Sequence, residues 1–115
     1  MKYDLEERLL KFSKQLISNI RLIKIDYMNR NIIDQLLRSW TSIGANYHEA
    51  NGSSSKKDFR NKIHLCKKEA KETNYWLDLL LEAQSSNKKD IEVLLQESRE
   101  IMYIFTKIAQ TLKEE

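Results

Sequence analysis

Apolar side chains recur at three- and four-residue steps along almost the whole chain, and polar stretches interrupt them in three places, which predicts four amphipathic helices. The first stripe is Leu5, Leu9, Phe12, Leu16, Ile20, Ile23 and Tyr27, predicting a helix over Asp4–Met28. Asn29-Arg30-Asn31 breaks it, and Asn31 is expected to cap the second helix by accepting from an amide near Asp34. That helix runs to Asn51 with Ile32/Ile33, Leu36/Leu37, Trp40, Ile43/Gly44, Tyr47 and Ala50 on its apolar side. A glycine in mid-helix costs about 1 kcal/mol relative to alanine, so Gly44 suggests the close approach of another helix.

Asn51-Gly52 and the serines that follow are the strongest punctuation in the chain. Gly52 is expected in a left-handed cap, and Ser55 with Asp58 matches a capping-box-like helix start. The third helix is predicted from Lys56 to Ala83, with Phe59, Ile63, Cys66, Ala70, Thr73, Leu77 and Leu80 on one side. A polar turn over Gln84–Lys89 follows, with Asn87 placed to cap at Asp90, and Ile91, Leu94/Leu95, Ser98, Ile101/Met102, Phe105, Ile108/Ala109 and Leu112 form the fourth stripe. Four long helices joined by short turns predict an all-α, up-down-up-down antiparallel four-helix bundle.

Composition agrees with that architecture. The chain has 115 residues, no proline, two glycines, 41% apolar and 32% charged residues, which suits one domain spanning residues 1–115. Uncharged runs are short, so no membrane span or secretory signal is expected and a cytoplasmic location follows. The single cysteine, Cys66, falls on an apolar helix face and reads as a small buried hydrophobe.

Three patterns in the chain could carry chemistry. A ferritin-like metal site needs Glu-x-x-His on two helices, and no glutamate here has histidine at its third following position. Glu69-x-x-Glu72 and Glu97-x-x-Glu100 are carboxylate pairs one turn apart, a spacing that can hold Mg²⁺ in an all-α nucleotide pyrophosphohydrolase. On a wheel with Lys56 at 0°, however, helix-three core residues lie at about 280–340°, while Glu69 and Glu72 lie near 220° and 160°, which disfavours a shared inward site. No catalytic residue, metal or cofactor is therefore assigned, and no small-molecule substrate is expected.

The same wheel places Lys56, Arg60, Lys67 and Lys71 at about 0°, 40°, 20° and 60°, with Lys57 and His64 at the edge. This unbroken basic stripe can track phosphates, although a net charge of +3 also suits a solvated helix face. Trp76, at about 200°, lies off the core centre and points to self-association. In an antiparallel hairpin about Gly52, Arg38 comes level with Glu69 and is expected to pair with it. Asn46 and Glu49 come close to the start of helix three, beside Asp58, and are expected to hold its free amides.

Several of these residues carry a family resemblance. Gln35-Leu-Leu-Arg38, Thr41-Ser-Ile-Gly-Ala-Asn-Tyr47, Glu49-Ala50, Ser55-Lys-Lys-Asp-Phe59, Lys68-Glu-Ala70, Glu72-Thr73 and Tyr75-Trp-Leu77 together resemble the bacterial four-helix bundle proteins encoded in intervening sequences of 23S ribosomal RNA genes. His48 departs from the basic residue more often found there. The resemblance implies a homo-oligomer, a pentamer, and a distant likeness to the basic accessory proteins of diversity-generating retroelements, which work with a reverse transcriptase and RNA. It implies no enzyme activity. Two functions of different class stand at this point: a self-associating bundle that binds RNA or a nucleic-acid enzyme through Lys56, Lys57, Arg60, Lys67 and Lys71, and a structural or protein-interaction module whose basic face is solvated. A Mg²⁺-dependent pyrophosphohydrolase is third.

Overall fold

The computed structural model describes residues 2–114; the ends of the expected domain, Met1 and Glu115, lie outside them. Four α-helices follow one another without strands among the described residues: α1 over Lys2–Leu22, α2 over Arg30–Asn51, α3 over Lys56–Ala83 and α4 over Lys88–Glu114. They form an antiparallel bundle 46 Å long and about half as wide, in which α2 packs on α3, α3 on α4, and α1 closes the ring against both α2 and α4. The predicted stripes meet along its axis. Phe12, Leu16, Leu36, Ile43, Ile63, Leu77, Leu80, Ile91, Ile101 and Phe105 are all fully enclosed, and burial of side chains of this size contributes about 1.5–3 kcal/mol each.

Polar pairs inside the core tie neighbouring helices at defined heights. Ser39 of α2 meets Thr73 of α3 at 2.9 Å, and Thr73 also donates to the Glu69 carbonyl. Ser98 of α4 donates to the Asn74 side chain of α3, whose amide nitrogen reaches Met102 Sδ at 3.1 Å. Each buried hydroxyl thus has a partner, which removes the desolvation penalty of an orphan.

The first turn differs from the expected one. α1 stops at Leu22, six residues before Met28, and Tyr27 is 98% exposed instead of lying in the core. The cause is a side-chain network that offers the backbone an alternative to helix. Asp26 Oδ1 accepts from the amides of Met28 and Asn29, while Asn29 Oδ1 accepts from the amide of Asp26. Asn29 is fully buried and donates to the Lys24 carbonyl and, at 2.8 Å, to Gln84 Oε1 at the far end of α3. Asn29 rather than Asn31 therefore precedes α2, and it contributes its carbonyl, accepting from Ile33, and no side-chain cap.

The other turns also refine the prediction. Ser55 caps α3 as expected, its hydroxyl accepting from the Asp58 amide at 3.0 Å. Gly52 has φ of −97° and is not left-handed; its amide returns to the carbonyls at the end of α2. The left-handed residue is Asn87, with φ of 61°, immediately before α4, where its carbonyl accepts from Ile91. Gly44 is exposed, and a methyl group there would meet nothing within 4 Å. Among the described residues no other helix comes within contact distance of that position.

Candidate nucleic-acid interface

α3 begins at Lys56, so the basic row keeps its predicted phase. Lys56, Lys57, Arg60 and Lys71 are exposed and Lys67 is half-buried. Among the described residues none of the five makes an ion pair or side-chain hydrogen bond. Lys62, on the opposite flank of α3, shows the contrast: it reaches Glu49 Oε1 of α2 at 2.8 Å. That contact lowers the Glu49 pKa and raises that of Lys62, chiefly through the shared hydrogen bond.

The Asn74 contacts with Ser98 and Met102 fix the register of α3 against α4. At 1.5 Å per residue in antiparallel helices, Tyr103 then lies level with Lys71 and Lys107 level with Lys67. Lys107 Nζ stands 5.9 Å from the centroid of the Tyr103 ring. The basic row of α3 therefore has an exposed ring and a further cation of α4 at its height, which a wheel of α3 alone does not reveal. It ends toward the other pole of the bundle, where the exposed Asp78 continues the same line of α3 and Glu92 stands on α4.

The polar residues expected to join α2 to α3 behave differently from the hairpin scheme. Arg38 is exposed and forms no ion pair with Glu69. The Glu69 carboxyl is half-buried, and its pKa is raised by desolvation and then by Glu72. Asn46 donates to the Ser42 carbonyl at 2.8 Å, inside its own helix, so it does not reach the start of α3. Glu49 does cross to α3, but to Lys62 instead of to the free amides, which Ser55 serves at Asp58. The Asn46 amide takes the carbonyl one turn back in place of a group on α3, so of the expected set only Glu49 links the two helices.

Burial pushes the Cys66 thiol up to about 12, so it carries no thiolate near neutrality. Its Sγ donates to the Ile43 carbonyl across the α2/α3 interface at 3.7 Å. Glu97 and Glu100, considered above as a Mg²⁺ pair, are both engaged by Arg8 of α1. The guanidinium donates to the two Glu97 oxygens at 2.6 and 2.8 Å and to Glu100 at 3.3 Å. The Glu97 hydrogen bond raises the Arg8 pKa still further, against the opposing effect of burial. Sequence periodicity places Arg8 at the edge of the α1 stripe, but nothing local in the sequence names its partner on α4.

The 23S rRNA-intervening sequence protein family matches residues 4–107. The chain belongs to that family. A crystal structure from Bacteroides thetaiotaomicron, described as a protein of unknown function from the S23 ribosomal protein family, is similar at 32% identity. The likeness covers 91% of this chain and 97% of that one with a TM-score of 0.77, so it extends over the family fold as a whole. No curated protein matches the chain. Among the described residues no helix is long and apolar enough to cross a membrane.

Proposed function

We propose that this family member is a non-enzymatic, cytoplasmic bundle that self-associates and binds RNA or a nucleic-acid-processing partner through the basic surface of α3. The observation that carries the RNA half is the row of Lys56, Arg60, Lys67 and Lys71, aligned over four turns with no acidic residue in line between them and, among the described residues, no intramolecular partner. Cations left unpaired along a straight helix are free to exchange counterions for phosphates. Self-association is supported by apolar side chains left on the surface of α1, Leu10 at 56% and Ile17 at 52% exposed, beside the open surface at Gly44. A pentamer is the state implied by the family resemblance.

RNA affinity measured across a salt series tests the first half. Binding should weaken steeply with salt and be lost when Lys56, Arg60, Lys67 and Lys71 are changed together to Glu. Salt-independent binding, or binding that survives the reversal, would leave the stripe a solvated face and favour the protein-interaction module. Light scattering of the purified protein tests the second half, and a monomeric mass would overturn it.

A further inference from the structure

We propose that the α3/α4 face takes RNA as a single strand, with phosphates on the α3 cations and bases stacked on Tyr103 and Tyr75. This rests on the RNA binding proposed above and narrows its ligand. Tyr103 is 63% and Tyr75 58% exposed, so neither ring is claimed by the core. Tyr103 stands level with Lys71 on the neighbouring helix, and Lys107 approaches its ring at 5.9 Å, placing an aromatic surface and a further cation beside the row. Tyr75 follows Lys71 by one turn. Its ring packs edge-on against Trp76, centroids 5.0 Å apart at 74°, and Trp76 is itself packed against the core. The orientation of Tyr75 is thus set before any ligand arrives.

Cations in line with outward aromatic rings discriminate between forms of nucleic acid. A duplex offers phosphates but keeps the faces of its bases stacked within the helix. A single strand offers both, and stacking on an aromatic side chain tolerates any base. From Lys56 to Tyr75 the face runs about 28 Å along α3, and the carboxylate of Asp78 repels the backbone beyond it.

The test compares a labelled, mixed-sequence single-stranded RNA with the same strand annealed to its complement, by fluorescence anisotropy over a salt series. Wild type, Tyr75→Ala/Tyr103→Ala, Tyr75→Phe/Tyr103→Phe and the fourfold Glu reversal are each measured, with thermal melts to confirm folding. The alanine pair should weaken single-strand binding by about tenfold or more while leaving duplex affinity and the salt slope unchanged. The phenylalanine pair should bind as wild type, because stacking needs the ring and not the hydroxyl. Equal losses on both RNAs, or no loss on either, would overturn stacking while leaving the phosphate contacts intact. Failure of wild type to bind either RNA, or binding indifferent to salt, would remove the underlying function and this proposal together.

Discussion

Single residues in this bundle show opposite electrostatic signs one turn or two from each other, and the signs decide how stability responds to pH. The carboxyl of Glu69 is half-buried, and desolvation together with Glu72 outweighs the opposing charge of Lys68, so its folded pKa lies above its unfolded value. The folded state then holds the proton more tightly, and the ionised carboxylate opposes folding at neutral pH. Glu69→Gln should raise the melting temperature at pH 7, and the gain should shrink to nothing as pH falls below the ordinary carboxylate range. Glu49 has the reverse sign, because Lys62 lowers its folded pKa. Its small contribution is present above the unfolded pKa and lost as pH falls through the folded one, so Glu49→Gln should lower the melting temperature slightly near neutrality and leave it unchanged in acid. Thermal melts of both variants across acid and neutral buffers check the two trends together. Asn29 is a third case, in which hydrogen bonding dominates. Replacing it with Ala removes the partner of buried Gln84 and the acceptor for the Asp26 amide, and should destabilise by about 1–3 kcal/mol in denaturant unfolding.

At the scale of elements, α1 is held by specific contacts concentrated in its N-terminal half. Arg8 grips Glu97 and Glu100 of α4, Ser13 accepts from Trp40 Nε1 at 2.7 Å, and the rings of Phe12 and Trp40 lie 4.3 Å apart. Beyond Leu16 the helix relies on Ile20 and Ile23 before it turns at Asp26. Phe12→Ala should therefore cost about 3–5 kcal/mol, while Arg8→Ala, at a partly exposed ion pair, should cost much less. Native-state hydrogen exchange of the Arg8 variant should show the amides of α1 opening before those of α2 and α3. The stripes of α2, α3 and α4 were legible because three- and four-residue spacing reports burial directly: Ile33, Leu36, Ile63, Leu77, Ile91 and Ile101 are all buried as the pattern predicts. The end of α1 was not, since Ile23 and Tyr27 continue the spacing and the turn depends on an Asn29–Gln84 bond between residues distant in sequence. For the same reason the α3 row was readable from one helix, whereas Tyr103 and Lys107 join it only through a register set by Asn74 and Ser98.

For the whole molecule, Gly44 separates the stability of one chain from the association of several. It is exposed in the middle of α2, on a shallow groove lined with Leu9, Leu10 and Ser13 of α1 and His48 of α2. Among the described residues nothing explains the absence of a side chain, because an added methyl group meets open space. Judged on the single chain, Gly44→Ala should stabilise the fold by about 1 kcal/mol through helix propensity. If the self-associating surface proposed above runs along Leu10, Ile17 and this groove, the same methyl group stands where a second copy packs against the α2 backbone. The variant should then melt higher as an isolated chain at high dilution, yet scatter with a lower mass than wild type at concentrations where wild type assembles. Leu10→Ser should lower the mass as well, with little effect on the melting of the dilute chain, since Leu10 contributes to the surface and not to the core. Opposite movement of dilute-chain stability and assembly in Gly44→Ala is the signature of an interface at this groove. Parallel movement, or a rise in melting temperature with unchanged mass, would place the contact between copies on another face of the bundle.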